Sequence, residues 1–161
     1  MATTFQPLYA NGGSRLTITL TALANAAYRQ SDTMMNTVAL WLDAQMTLRI
    51  TTTATGVTSS GTVEIYGFAN VQDAQSPLMN TDTAGTADGA SAKPNNARLI
   101  GVMQCNSNAA MYVGGPFSVA NAFGGTLPPS WGIIVGNLTG AQLTNSANHL
   151  CFLQGYQEQG V

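Results

Sequence analysis

Hydrophobic and polar side chains alternate along much of this chain, and the longest alternating run covers residues 38–50. Seven apolar residues occupy every second position of that run, namely Val38, Leu40, Leu42, Ala44, Met46, Leu48 and Ile50. Successive side chains of a β-strand point to opposite faces of the sheet, whereas a helix would scatter these positions around its axis. The pattern therefore predicts a β-strand, and its length predicts a bend or bulge near the middle.

Shorter candidate strands recur at residues 16–20, 63–67, 111–113, 117–119, 133–135 and 150–156, and a further one at 99–103 is apolar on both faces. Thr, Val and Ile are frequent in them, and Gly, Asn and Pro separate them, as in proteins built from short strands. The helical pattern is weak and predicts only short turns at 22–29 and 119–123. We therefore predict an all-β protein of about eight strands, folded as a single β-sandwich of jelly-roll type.

Two segments fall outside this pattern. We predict that residues 1–13 form an N-terminal arm and that residues 14–161 form the sandwich domain. Within that domain, residues 71–97 are predicted to form a long polar surface loop. Both segments carry apolar groups where a solvated segment should have none, and such groups often mark an interface. The expected contacts are Phe5, Gln6 and Pro7 in the arm and Pro77, Leu78 and Met79 in the loop.

The charge content changes the picture of the surface. Charged residues make up only 7% of the 161 residues, and the formal net charge is −2. In an average soluble domain, about a quarter of the residues are charged. This balance leaves no basic patch for nucleic acid or for an anionic membrane surface. No apolar run approaches the roughly 20 residues of a membrane span, and the N-terminus lacks the features of a secretory signal. Because a surface so poor in charge solubilises weakly, we expect protein partners to cover much of it.

Candidate catalytic groups are few. His149 is the only histidine, and Cys151 lies two positions further along the same predicted strand, where side chains share a face without meeting. Asp43 and Glu64 occupy polar positions of their strands, which is typical of a solvated face rather than of the facing pair that a glycosidase needs. We therefore expect a structural or exposed His149 and no enzyme activity.

Metal and cofactor motifs are equally incomplete. Residues 80–85 begin like a calcium-binding loop, but Ala84 stands where an oxygen ligand is required. Cys105 and Cys151 are expected to be small buried thiols. Asn137 opens a glycosylation sequon, which we interpret as a turn. We predict neither a metal nor a cofactor.

The two tryptophans differ in their predicted surroundings. Trp131 follows two prolines and begins an apolar strand, so it is predicted to lie in the core. Trp41 falls on the polar positions of its strand. We expect it either under a loop or at an interface, because aromatic residues are enriched in interface cores.

A segment near the C-terminus resembles a known class of proteins. The segment covers residues 114–141 and includes Phe-Gly-Gly-Thr-Leu-Pro at 123–128 and Trp-Gly-Ile-Ile-Val-Gly-Asn-Leu-Thr-Gly at 131–140. This segment resembles small structural proteins of tailed double-stranded DNA bacteriophages, and the strand pattern of residues 36–50 is similar to theirs. The resemblance implies a β-sandwich capsid decoration or cement protein, made in the host cytoplasm and resident in the virion. Its implied partners are the major capsid protein and further copies of itself, as a dimer or trimer.

The low charge agrees with that role, because an unpaired charge buried at an interface is costly and because many copies add avidity to modest contacts. Two alternatives stay open. One is another virion component, such as a head fibre, a tail or baseplate protein, or the shell protein itself. The other is a carbohydrate-binding β-sandwich module, in which an exposed Trp41 or Tyr66 would form the stacking site.

Overall fold

The computed structural model describes residues 5–9, 13–37, 40–69, 87–88 and 97–160. Within these ranges the chain forms eleven strands and one 3₁₀ turn, Ala120–Phe123. The strands are β1 (Phe5–Tyr9), β2 (Ser14–Arg15), β3 (Ala27–Gln30), β4 (Met34–Met35), β5 (Asp43–Thr51), β6 (Thr62–Ala69), β7 (Ala87–Asp88), β8 (Arg98–Gln104), β9 (Met111–Ser118), β10 (Ser130–Leu138) and β11 (Leu150–Gly160). Only β2, β4 and β7 are shorter than four residues, so the eight longer strands match the predicted number.

The strands form two antiparallel sheets. The first sheet has the order β1-β11-β5-β9, with β2 also on β11, and the second has the order β7-β3-β10-β6-β8, with β4 also on β10. The eight longer strands pair as a nested hairpin: β1 with β11, β3 with β10, β5 with β9, and β6 with β8. A nested hairpin divided between two sheets is a jelly roll, so the predicted all-β sandwich is confirmed.

The core lies between the inner faces of the sheets. On β5 the inward positions Ala44, Met46, Leu48 and Ile50 are fully buried, which is the alternation that the sequence predicted. They belong to the same apolar cluster as Trp131, which is buried as expected. Aligned packing of two such faces gives a dry interior about 10 Å thick.

A second apolar layer covers the outer face of the second sheet. It consists of Tyr28, Tyr66, Phe68 and Ile134, all buried, with the two tyrosine rings 6.3 Å apart edge to face. The Tyr66 hydroxyl bonds to Glu64, and burial raises the pKa of Tyr66 well above its ordinary value. The expectation of an exposed Tyr66 is therefore wrong, because its ring belongs to this layer.

The long predicted strand starts later than its pattern suggests. β5 begins at Asp43, because Leu40 has a φ of +51° and Asn36 holds the preceding loop. Both side-chain atoms of Asn36 bond to the backbone of Trp41, each at 2.8 Å. The predicted bulge is present as a register shift between Met46 and Leu48.

Other segments also depart from their predicted form. Residues 16–20 alternate in burial but cross between the sheets, since the Leu16 amide bonds to β11 and the Thr17 carbonyl bonds to the Asp32 amide. Residues 111–119 contain one strand, β9, where two were predicted. The turn predicted at 22–29 is partly strand β3, whereas the turn near 119–123 is the 3₁₀ turn.

Candidate functional site

Two strand edges lie side by side along one flank of the sandwich. β8 is the last strand of the second sheet, β9 is the last strand of the first, and residues 105–110 join them. We call this flank the β8–β9 edge. No other strand in the described ranges pairs with its outer side. Each strand therefore presents a row of backbone N–H and C=O groups to whatever lies beside it.

The two strands of the β8–β9 edge pack closely against each other. Met103 of β8 fills the space above Gly114, where an added Cβ would lie 2.5 Å from its Cγ. Phe117 of β9 fills the space above Gly101 in the same way, again at 2.5 Å. Each glycine thus receives a large side chain from the opposite sheet, which closes the core at this flank.

Four apolar side chains project outward from the β8–β9 edge. Met111 and Val113 are 62% and 63% exposed on β9, while Leu99 and Val102 are 52% and 47% exposed on β8. The first pair lies on the outer face of the first sheet and the second pair on the outer face of the second. A partner covering this flank would meet apolar groups on both sides of the exposed backbone.

The protection that usually guards a strand edge is sparse here. Soluble proteins block such edges with lysines, prolines, bulges or a covering loop. Arg98 is the only charged residue in β8 and β9. Pro116 and a register shift interrupt the last part of β9, and a second register shift, at Ile100, is the one irregularity in the pairing of β8. Residues 99–104 with 111–114 therefore carry no charge and little steric protection, which suits contact with another protein chain.

The interface residues predicted in the N-terminal arm lie on the opposite edge strand of the first sheet from β9. Phe5, Gln6 and Pro7 belong to β1, whose backbone pairs with Glu158, Gln159 and Gly160 of β11, and their side chains are outside the described residues. Pro77, Leu78 and Met79 also lie outside the described residues.

Trp41 lies at one end of the sandwich, half-buried against the core. Its indole covers Gly155 of β11, where an added Cβ would come within 2.5 Å of Nε1. Beside it, Leu40 is 69% exposed, and the two line a cleft of about 470 Å³ with Asn36, Leu127 and Pro129. Trp41 therefore precedes β5 rather than occupying a polar position within it, and its place at an interface stays a prediction.

His149 is held by two threonines. The Thr51 amide donates to Nδ1 at 3.3 Å, so the proton is on Nε2, which donates to the Thr144 carbonyl at 2.9 Å. Burial lowers the pKa of His149, which keeps the ring neutral. These contacts tie the start of β11 to β5 and describe a structural histidine. Asp43 and Glu64, the other candidates, are on different sheets.

The two cysteines are buried and unpaired. Burial raises the pKa of each thiol to about 12, from an ordinary value near 9. Because the thiolate is the reactive form, we expect neither thiol to react with Ellman's reagent at pH 8 in the native protein, and both to react in denaturant. Each thiol keeps its proton in the folded state at pH values where the unfolded state releases it. The free energy of unfolding should therefore fall as the pH rises from 9 to 12. Rapid labelling of the native chain would contradict this burial.

Comparison of the chain with models of protein families, with curated proteins and with solved structures gives no match. Within the described ranges, no helix is long and apolar enough to cross a bilayer.

Proposed function

We propose that this protein is a virion structural protein of the capsid decoration type, which attaches to the major capsid protein and to further copies of itself. The observation that carries the proposal is the β8–β9 edge, which has Arg98 as its one charged residue and four exposed apolar side chains. In this proposal that edge is the attachment surface, the protein is made in the host cytoplasm, and it binds neither nucleic acid nor membrane.

Three further observations support the role. The jelly roll is a fold that viral capsid proteins use, among others, so it supports the proposal by analogy alone. The 7% charge content suits a protein whose surface is buried in an assembly, since each unpaired charge there would be costly. The segment 114–141, which carries the resemblance to phage structural proteins, spans most of β9 and all of β10.

Placing a lysine on the edge tests the attachment surface. Val102→Lys and Val113→Lys add a charge at positions that are 47% and 63% exposed in the free protein, so both variants should fold. We expect each to lower occupancy on particles lacking the native protein by at least about tenfold, because an ammonium group buried without a partner is strongly unfavourable. Occupancy is measured by quantitative gel after sedimentation of the particles.

Thr19→Lys is the matched control, since it adds the same charge on the exposed segment that crosses the opposite flank. It should attach as the native protein does. Native attachment by both edge variants would reject the β8–β9 edge as the surface, and failure of the native protein to bind any particle would reject the function itself.

Copy number in purified particles separates the decoration role from the other virion roles. A number comparable to that of the shell protein supports a place across the whole head. A handful per particle would instead indicate a head fibre, tail or baseplate protein, and an abundance that accounts for the shell itself would make this chain the shell protein.

A further inference from the structure

A cleft of about 570 Å³ lies on the outer face of the first sheet, at the end away from His149. Its floor is formed where three neighbouring strands are in register: Tyr9 of β1 is opposite Tyr156 of β11, which is opposite Asp43 of β5. The wall is formed by the end of β9 and the 3₁₀ turn that follows it, with Ser118 and Asn121 lining the cleft.

One side of the cleft is aromatic. The rings of Tyr9 and Tyr156 are 5.6 Å apart and tilted by 51°, and Tyr9 is 49% exposed. Two tilted rings form an angled apolar surface with hydroxyl groups at its margin. Such a surface accepts the C–H face of a flat ligand.

The other side is polar and held in place. Asp43 accepts hydrogen bonds at one oxygen, Oδ1, from the Ala44 amide at 2.7 Å and the Ala120 amide at 2.8 Å. Within the described part of the chain, its second oxygen accepts no hydrogen bond. Ser118 Oγ accepts from the Asn121 amide at 3.3 Å, which leaves the serine proton to donate. The carboxylate is thus fixed before any ligand arrives, and its free oxygen lines the same cleft as the serine.

This combination determines the class of ligand. Asp43 offers an acceptor, Ser118 a donor, and the exposed amides of Gln45 and Asn121 both donors and acceptors. A compound with several neighbouring hydroxyl groups and an apolar C–H face satisfies all of them together with the rings. A saccharide has both features. An anionic ligand would be repelled by Asp43, and an aliphatic ligand would leave the polar wall unpaired.

We propose that this cleft binds a neutral saccharide, with the ring stacked on Tyr9 and Tyr156 and a hydroxyl pair on Asp43. The cleft reaches β9 only at Ser118, the last residue of that strand, whereas the attachment stretch of the β8–β9 edge is residues 99–104 and 111–114. The proposal therefore does not depend on attachment to a particle.

The experiment uses the full chain and an immobilised panel of neutral oligosaccharides based on glucose, galactose, mannose and N-acetylglucosamine. Tyr9→Ala removes one ring, and Asp43→Asn keeps an oxygen for the two amides while removing the charge. For a saccharide that the native protein binds, we expect a loss of about tenfold or more for each variant. Asn148→Ala, in the exposed loop before β11 at the His149 end of the sandwich, is the matched control and should bind as the native protein does. Melting temperatures establish that all variants fold.

Three outcomes would overturn the proposal. The first is that no oligosaccharide of the panel binds. The second is binding that Tyr9→Ala and Asp43→Asn leave unchanged. The third is preferential binding of choline, offered as a soluble competitor, because an aromatic pair with a carboxylate would then serve a cation.

Discussion

Asn137→Ala is expected to destabilise the protein by about 3 kcal/mol, because the asparagine side chain is fully buried and joins the backbone of residues 23–24 to that of residues 139–141. Its Nδ2 donates to the carbonyls of Leu23 and Ala141, each at 2.8 Å, and to that of Ala24 at 3.2 Å. Its Oδ1 accepts from the amide and the hydroxyl of Thr139 at 3.1 and 2.8 Å. The truncation would leave these groups in the interior with no water to replace the amide.

Urea denaturation measures the free energy of unfolding of the native protein and the variant under the same conditions. Asn106→Ala is the matched control, since Asn106 is exposed and its loss should change stability by less than about 0.5 kcal/mol. A cost of less than 1 kcal/mol for Asn137→Ala would contradict the hydrogen-bonded role.

The same burial removes this asparagine from the reach of a glycosylating enzyme, although its sequence matches the sequon.

Gly155→Ala is expected to cost about 2–3 kcal/mol, because the new methyl group would occupy the space of the Trp41 indole. The methyl group and the indole cannot occupy the same space, so the indole must leave the rim of the core. Trp131 is buried in the same core and should keep its surroundings. The variant should therefore show a red shift in the fluorescence of one of the two tryptophans, together with the loss of stability.

A double-mutant cycle isolates this contact. Trp41→Ala alone should cost about 2 kcal/mol, since the half-buried ring is lost and a space remains. In the Trp41→Ala background, Gly155→Ala should be almost without cost, because the methyl group then enters that space. Additive costs of the two substitutions would show that the glycine is required for another reason.

Period-two alternation identified most of the strands, because burial on one face of a sheet leaves a local mark on the sequence. It did not show where β5 begins, since Leu40 continues the alternation while its positive φ turns the chain. The pattern also did not separate residues 16–20 from a strand: alternating burial arises as well when a segment crosses the rim of a sandwich. Pairing partners are set by distant contacts that no local pattern contains.

The candidate surface was harder to predict than the fold. Residues 99–103 are apolar on both faces of their strand. This pattern is typical of a strand whose outer face is covered by other protein groups. Without the sheet order, however, nothing indicated that β8 and β9 are neighbouring edges. The saccharide cleft had no local mark at all, because Tyr9, Asp43 and Tyr156 are brought together only by the pairing of β1, β11 and β5.

The nested pairing of the strands has a consequence for synthesis on the ribosome. β11 lies between β1 and β5 in the first sheet, so these two strands have no partner on that side until residues 150–160 have been made. The second sheet contains β3, β6, β8 and β10, all of which emerge earlier. We therefore expect the second sheet to assemble first during translation and the first sheet to close around β11 afterwards, with the long-range contacts that make such folds slow.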